Sequence, residues 1–256
     1  MVDLIVFSVG SNRYAMDIEN VQRIIQAGAL TAIPNAHPFI DGMMSHEESV
    51  IKVMSFRKLI ELDSYEDELK ILFSKLKIAH KDWVDALKTA IHTGSTFTKT
   101  TNPHMCDLGK WIDNFTSYDD RVSEVLSELV EYHKQLHLKG GEACEIKKVN
   151  SEEAKRVVDV DVNDIYNHTM SALDTFVVEL GTVANSLQKL LIYDNNGKKF
   201  AIKVDIIEDI AHVEESDIMR GDSNEESNKF LELDGVLDLD GVLINVIKTV
   251  NLPTID

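Results

Sequence analysis

The chain has 256 residues, enough for two domains with hydrophobic cores, and its 44% hydrophobic and 27% charged residues are a globular balance. A formal net charge of −18 argues against nucleic acid or an anionic membrane surface as a partner, because phosphate groups would repel the chain. Two cysteines, Cys106 and Cys144, are too few for a disulfide scaffold, and no apolar run is long enough for membrane insertion. The first ten residues lack the basic and apolar regions of a signal peptide, so a cytoplasmic location is expected.

Roughly the first quarter of the chain has the short, alternating apolar segments of a β-rich domain. The predicted strands and apolar segments are 4–9, 14–18, 21–25 and 50–56. A turn signal, Gly-Ser-Asn at 10–12, and a loop marked by Pro34 and Pro38 separate them. Short strands with frequent turns favour a small barrel or a sandwich.

The pattern changes between about residues 66 and 186, where apolar residues recur at helical spacing. Asn102 followed by Pro103 is typical of a helix N-cap and the first helical position. The four predicted helices are 66–92, a segment beginning at Asn102, 118–139 and 151–186. Short connections between them favour an antiparallel four-helix bundle.

The β pattern then returns for the rest of the chain. An Asn-Asn-Gly turn at 195–197 joins two predicted strands into a hairpin, and Asp240-Gly241 joins two further apolar segments. The acidic run at 214–227 is predicted to be a solvated loop. The chain is therefore predicted to be an α+β multidomain protein in which a helical bundle interrupts a β domain. The predicted boundaries are 1–63 for the first part of the β domain, 64–187 for the bundle and 188–256 for the second part.

Three of the predicted helices carry side chains that can ligate a metal ion. His133 and His137 lie four residues apart on one helix, which puts both imidazoles on one face. Cys106 lies in the first turn of another helix, where the positive helix end favours the thiolate. His80 lies on the apolar face of the first helix, three residues before Trp83. Each feature alone has a plainer interpretation, namely a surface histidine pair, a small buried hydrophobe and a core histidine.

Together these residues form a set of three histidines and one cysteine. Thiolate and imidazole in a four-ligand set point to zinc. Because protein side chains would fill all four positions, no position stays open for a substrate, and zinc-catalysed hydrolysis is disfavoured. His104, two residues from Cys106, is an alternative ligand that ranks below His80.

The same segments resemble a known family, the chemoreceptor zinc-binding (CZB) domain. The resemblance covers about residues 65–188 and depends on three short motifs. These motifs are His-Lys-Asp-Trp at 80–83, Cys-Asp-Leu-Gly-Lys-Trp at 106–111 and His-Lys-Gln-Leu-His at 133–137. The resemblance implies that His80, Cys106, His133 and His137 bind zinc. It also implies a bacterial cytoplasmic sensing module that responds to zinc or to oxidants such as hypochlorous acid.

The flanking segments resemble the CheW-like domain, an adaptor of bacterial chemotaxis. The matching segments are 7–18, 21–25, 33–42, 50–59, 197–210 and 230–246. This resemblance implies two small β-barrels side by side. It also implies two partners, the histidine kinase CheA and the cytoplasmic tip of a chemoreceptor.

The chain departs from the CheW-like pattern at two charged positions. Many members have Asn-Leu-Arg-Gly before the strand at 50–56, where this chain has Ser-His-Glu-Glu, so Glu47 stands in place of arginine. Members also often carry glutamate where this chain has Arg23. Because both charges are reversed, we expect Arg23 and Glu47 to face each other as an ion pair near a partner-binding surface. The alternative is two independent, solvated residues.

These observations favour a non-enzymatic signalling adaptor with an inserted module that senses zinc or oxidants. The alternative from another class is a constitutive CheW-like scaffold in which zinc is purely structural. A third hypothesis is that the chain is a metallohydrolase. It is disfavoured because the chain has no Gly-rich phosphate loop, no Gly-x-Ser-x-Gly and no His-Glu-x-x-His motif. The carboxylates that an enzyme could use, at Asp159, Asp161 and Asp164, have the spacing of a polar helix start.

Overall fold

The computed structural model describes residues 1–220 and 229–253, which form two compact units. A β unit is built from residues 1–65 and the described residues from 184 onward, and a helical unit is built from Glu66–Val183. The chain thus leaves the β unit after Tyr65 and returns to it near Ala184.

The β unit consists of two sheets and a short helix. Its strands are β1 (Val2–Val9), β2 (Asn12–Asp17), β3 (Val21–Gln26), β4 (Ile40–His46), β5 (Ser49–Ser55), β6 (Lys189–Asn195), β7 (Lys198–Val204), β8 (Ile206–Val213), β9 (Ile218–Met219), β10 (Leu231–Leu239) and β11 (Val242–Val250). Helix α1 (Phe56–Leu59) follows β5, and the Ser55 side chain caps it by accepting the Lys58 N–H.

Strands from both ends of the chain share each sheet. The described residues form a six-stranded sheet in the order β8-β1-β2-β11-β10-β9 and a five-stranded sheet in the order β3-β6-β7-β5-β4. The β2–β11 and β5–β7 pairs are parallel, and the other neighbouring pairs are antiparallel. The segments before and after the helical unit therefore cannot form these sheets separately.

Each sheet has its own apolar core, which agrees with the predicted pair of small barrels. Leu4, Val6 and Leu237 belong to the cluster of the six-stranded sheet, and Val53 and Ile192 belong to that of the five-stranded sheet. A third cluster contains residues of both sheets and holds the two together. Thr31, in the segment that follows β3, exchanges two backbone hydrogen bonds with Met43 of β4. Strands β3 and β4 are the two end strands of the five-stranded sheet, so these bonds link its ends.

The sequence did not predict β4, β8 or β9 as strands. Strand β4 contains Gly42, a residue that is rare in strands, and a Cβ there would lie 2.6 Å from the Thr31 carbonyl oxygen. Strand β8 is at the edge of its sheet, and most of its residues are exposed, so it shows no clear alternation. The prediction of a solvated loop at 214–227 is wrong at Ile218–Met219, which pair with β10 as strand β9 and bury Ile218. Glu215–Asp217 form a 3-10 turn, and residues 221–227 lie outside the described residues.

The helical unit contains the predicted bundle, with altered boundaries. Its helices are α2 (Tyr65–Thr93), α3 (Asp107–Asp113), α4 (Asp120–Lys147), α5 (Ser151–Arg156), α6 (Asn163–Val178) and α7 (Leu180–Leu187). The predicted helix start at Asn102 is wrong, because Asn102 caps a 3-10 turn at Pro103–Met105 and the helix begins at Asp107 with Cys106 as its N-cap. Helix α4 continues eight residues past the predicted end at 139, through Gly140 and Gly141. The predicted helix at 151–186 is interrupted by a π-helical turn at Val157–Val162 and again at Glu179. None of the described helices is long and apolar enough to cross a membrane.

Asp41 on β4 supports one prediction about stability. Burial raises the pKa of this carboxyl, but the ammonium groups of Lys203 and Lys58 outweigh burial and hold the pKa below its ordinary value. A carboxylate whose pKa is lowered on folding stabilises the protein above its unfolded pKa, and the effect is lost as the pH falls through the folded pKa. We expect Asp41→Asn to lower the free energy of unfolding by roughly 2–3 kcal/mol near neutral pH. The loss should shrink as the pH falls below about 4.

Denaturation followed by far-UV circular dichroism between pH 3 and pH 7 measures this difference. Asp234→Asn is the control, because Asp234 pairs with the half-exposed Arg220 and such pairs contribute about 1 kcal/mol or less. A loss for Asp41→Asn that stays constant across this pH range would contradict the assignment.

Candidate metal centre

The structure brings four side chains of the helical unit together. His80 lies on α2, His133 and His137 lie on α4, and Cys106 is the N-cap residue of α3. Their ligand atoms all lie within 4.8 Å of one another. The histidines are buried and Cys106 is partly buried. All four residues are those that the sequence motifs single out.

The distances within the cluster place its nitrogen and sulfur atoms around a common point. Cys106 Sγ lies 3.1 Å from His133 Nε2 and 3.8 Å from His80 Nε2. The ring centroids of His133 and His137 are 4.8 Å apart, and those of His80 and His133 are 5.1 Å apart. Zinc–nitrogen and zinc–sulfur bonds of about 2.0–2.3 Å separate tetrahedral ligand atoms by roughly 3.3–3.8 Å, so small side-chain rotations would suffice to share one ion.

A backbone carbonyl orients His80. Its Nδ1 lies 2.8 Å from the Leu76 oxygen, one helical turn earlier on α2. Since a carbonyl can only accept, Nδ1 carries the proton, and the Nε2 lone pair faces Cys106 Sγ. Metal-binding histidines are commonly held in this way by a hydrogen bond from the second ring nitrogen.

His137 is buried without hydrogen bonds to its side chain. Both of its ring nitrogens are buried and lack a hydrogen-bond partner. Every other buried side-chain nitrogen or oxygen of the described residues has one. An unpaired buried polar group costs about 1–3 kcal/mol. The Trp83 ring lies 4.7 Å from the His137 ring and covers it. A metal ion shared with the neighbouring donors would offset this cost at one of the two nitrogens.

A close backbone approach positions Cys106. Its Sγ accepts the Gly109 N–H at 3.3 Å, which caps α3. A Cβ on Gly109 would lie 1.8 Å from the Pro103 carbonyl oxygen, so only glycine fits three residues after this cysteine. The Trp83 indole donates to the Thr100 carbonyl at 2.8 Å and ties the chain before Cys106 to α2.

Burial keeps the imidazoles of the cluster neutral. It lowers the pKa of His80, and together with the neighbouring histidines it lowers the pKa of His133 to about 3 and that of His137 to about 4. A neutral imidazole is the form that binds metal. At Cys106 the N–H groups of the helix end favour the thiolate as predicted, but burial outweighs them: burial raises the pKa of this thiol, and the Gly109 and Leu108 N–H groups lower it only in part. Forming the thiolate therefore requires a positive charge close to Sγ.

The alternative ligand His104 lies outside the cluster. It is exposed, and its Nδ1 lies 3.0 Å from both carboxylate oxygens of Asp113. The three carboxylates considered for an enzyme, Asp159, Asp161 and Asp164, line an open surface groove along the π-helical turn. They do not join the cluster of histidines and cysteine.

The expected ion pair between Arg23 and Glu47 is absent from the ion pairs of the described residues. Arg23 is an exposed residue of β3, whereas Glu47 lies in the turn between β4 and β5, with its Oε1 4.0 Å from His46 Nε2. Strands β3 and β4 are at opposite ends of the five-stranded sheet. The expectation failed because two reversed charges carry no information about which strands are neighbours.

Sequence reasoning missed the glycines that make room for the site. A Cβ on Gly140 of α4 would lie 2.3 Å from Cη2 of Trp83 and 3.0 Å from Cδ2 of Leu87, both on α2. Gly140 therefore leaves room for the Trp83 ring, which lies next to the His137 ring. The double glycine in a helical pattern was the available signal, although it also suggested an early helix end.

Two family models match this chain. Residues 3–77 match the model described as CheW-like domain, and residues 80–144 match the model described as chemoreceptor zinc-binding domain. The search of curated proteins returns no match.

Ten solved chains match in structure. One is the scaffolding protein TtCheW from Thermoanaerobacter tengcongensis, with a TM-score of 0.46, 12% identity and coverage of 96% of this chain and 88% of that chain. Another is the regulatory CZB domain of DgcZ, with a TM-score of 0.39, 17% identity and coverage of 46% of this chain and 99% of that chain.

The two neighbouring glycines of α4 give a matched pair of variants. We expect Gly140→Ala to lower the free energy of unfolding of the helical unit by about 1–3 kcal/mol, because the methyl group displaces the buried Trp83 ring. Gly141→Ala meets only Thr101, at 3.4 Å, so it should be neutral or stabilise the helix by up to about 1 kcal/mol. Both tryptophans of the chain, Trp83 and Trp111, lie in the helical unit, so tryptophan fluorescence during denaturation reports this unit selectively. Equal effects of the two variants would contradict the close approach.

Proposed function

We propose that this chain, a CheW-like domain interrupted by a chemoreceptor zinc-binding domain, is a signalling adaptor that binds zinc and couples chemoreceptors to the histidine kinase CheA. The observation that carries the proposal is the cluster of four donor atoms within 4.8 Å, in which both nitrogens of His137 lack a partner. A metal ion shared by these four donor atoms would stabilise such a buried set.

The donor chemistry favours zinc held by His80, Cys106, His133 and His137. Three neutral imidazoles and one thiolate are the ligands that Zn²⁺ prefers, and four protein ligands complete its tetrahedral shell. The ion would supply the positive charge that turns the Cys106 thiol into thiolate. Because the shell is complete, the site is suited to sensing or structure rather than to hydrolysis.

Cys106 gives the site a route to oxidant sensing. A metal-bound thiolate is electron-rich, and an oxidant such as hypochlorous acid converts it to sulfenic acid with release of chloride. The sulfenic acid is a poorer ligand, so oxidation loosens zinc and leaves the three buried imidazoles without their shared partner. Zinc release and thiol oxidation thus lead to the same change in the helical unit.

The β unit would provide the adaptor surface. Members of the CheW-like family associate with CheA and with chemoreceptors, and we propose the same two partners here. Arg23 and Glu47 are both exposed, on β3 and in the β4–β5 turn, and remain proposed partner-binding residues that act separately. Their reversed charges would then select partners whose charges are also reversed.

Zinc content tests the metal site directly. We expect about one zinc per chain in untagged protein and a clear loss of affinity in Cys106→Ala, because three ligands bind zinc more weakly than four. Native mass spectrometry and competition with a zinc chelator measure both quantities. Cys144→Ala is the control, because Cys144 lies outside the cluster and should leave zinc binding unchanged.

Cobalt adds a spectroscopic readout to the same experiment. Co²⁺ in the site should show a thiolate charge-transfer band in wild type and in Cys144→Ala, but not in Cys106→Ala. Absence of zinc, or equal zinc affinity in all three proteins, would rule out the proposed site.

Zinc-dependent binding to CheA tests the sensing role. Effector coupling typically changes affinity by about 5–150-fold, and we expect a change in this range between zinc-loaded and chelator-treated protein. Isothermal titration with CheA, with and without a receptor-tip fragment, measures it, and Cys106→Ala should behave as the zinc-free protein does. Equal affinity in both states would contradict the sensing role. If chelation also unfolds the helical unit in tryptophan fluorescence, the alternative of a constitutive scaffold with structural zinc is favoured.

A further inference from the structure

Asp205 is a buried carboxylate at the crossover between the two sheets. It is the single residue between β7 of the five-stranded sheet and β8 of the six-stranded sheet. Its oxygens accept from Arg57 Nε at 2.9 Å, from Arg57 Nη2 at 2.7 Å and from Gln188 Nε2 at 2.9 Å. The N–H of Gly10, in the β1–β2 turn, donates to it at 2.8 Å. We name Arg57, Asp205 and Gln188 the junction latch.

The latch joins the two segments by which the chain leaves and re-enters the β unit. Arg57 lies on α1, and its Nη1 donates to the Asp63 carbonyl at 3.1 Å, while its guanidinium carbon lies 4.7 Å from the centre of the Tyr65 ring. Gln188 is the first residue after α7, and its N–H donates to the Ala184 carbonyl. One carboxylate therefore contacts both the outgoing and the returning segment.

A second set of hydrogen bonds holds the returning segment from the exposed side. The Gln26 side-chain amide donates to the carbonyls of Asn185, Ser186 and Gln188, at 3.1, 2.7 and 2.7 Å. Within the helical unit, the Glu66 carboxylate lies 3.1 Å from the position of a Cβ on Gly181, so the first turn of α2 is close to α7. The outgoing and returning segments are thus neighbours in each unit considered alone.

The chemistry of the latch favours discrete states over gradual movement. Arg57 and Asp205 are the most deeply buried acidic and basic side chains, histidines apart, among residues 1–220 and 229–253, more so than the Asp41–Lys203 pair. Such a pair adds little stability over apolar side chains, and loss of a charged partner would leave an uncompensated buried charge. Loss of the neutral Gln188 leaves Asp205 paired with Arg57 but one hydrogen bond short. Its best-attested use is to enforce one arrangement of the surrounding chain or to switch between two. The returning segment therefore either pairs with Asp205 or leaves it underpaired.

We propose that the junction latch transmits the state of the helical unit to both sheets, with Gln188 as the moving contact. This inference rests on the proposed zinc-sensing function. Helix α7 leads to Gln188, so a change in α7 acts first on the Gln188–Asp205 hydrogen bond. Loss of that bond loosens Asp205, and with it the β7–β8 crossover and the β1–β2 turn.

Hydrogen exchange of the full-length protein, zinc-loaded and chelator-treated, tests the latch. In wild type, zinc removal should raise exchange in peptides covering β7 and β8 by roughly tenfold, the effect of losing one hydrogen bond to a charged group. In Gln188→Leu, exchange there should already be high, and zinc should change it by less than about twofold while the protein still binds zinc. Gln22→Leu is the matched control, because it removes another glutamine–carboxylate bond of the β unit, to Asp194, and should keep the wild-type response.

Several outcomes would overturn the latch. The proposal is wrong if zinc changes hydrogen exchange in β7 and β8 by the same factor in wild type and in Gln188→Leu. It is also wrong if zinc changes exchange in the helical unit but leaves exchange in β7 and β8 unchanged in both proteins. If Gln188→Leu does not fold, the exposed Gln26→Leu loosens the same segment and should also reduce the zinc response; an undiminished response would overturn the latch. CheA affinity on the same samples separates the two proposals. Zinc-independent affinity in wild type contradicts the sensing function, whereas zinc-dependent affinity that persists in Gln188→Leu contradicts the latch alone.

Discussion

The helical unit depends on one constraint, the burial of the His137 imidazole without a hydrogen-bond partner. His137 has two buried nitrogens without a partner, and its pKa is lowered to about 4, so protonation does not relieve the site near neutral pH. Such a group persists in a folded core only if something is gained by it. A shared ion would give one His137 nitrogen a partner and would at the same time give Cys106 the positive charge that burial denies it. Folding of this unit and occupancy of its site are therefore linked quantities.

Glycines make room for the side chains that surround the cluster on α2, α3 and α4. Gly140 removes the side chain that would collide with Trp83, and Trp83 in turn covers His137 and holds the Thr100 carbonyl. Gly109 has the same role for α3, because it lets the helix start against the Pro103 carbonyl and directs its N–H to sulfur. Gly109, Gly140 and Trp83 thus shape the space in which the four ligands lie together.

These relations explain which features the sequence could predict. The i,i+4 spacing of His133 and His137 and the short motif around Cys106 are local patterns, so the cluster could be anticipated from them. Most strands of the β unit also follow from local alternation, whereas the edge strand β8 does not, because exposure removes its alternation. The pairing of Arg23 with Glu47 failed because it needed the strand order, which is a long-range property. The pKa of Cys106 needed the balance between burial and the helix end, which spacing alone does not contain.

Because the helical unit is inserted into the β unit, both of its chain ends continue into segments of the β unit. Strands from before and after the helical unit share both sheets, so neither segment can move without acting on a sheet. At that junction the chain keeps a buried charge pair, although an apolar contact would hold the segments with less desolvation cost. An apolar contact tolerates sliding, whereas Asp205 has fixed partners in Arg57, Gln188 and Gly10. If the segments were joined by apolar packing alone, neighbouring side chains would adjust to a small displacement and nothing further would change. With Asp205 at the junction, the same displacement breaks a hydrogen bond at the crossover between the sheets.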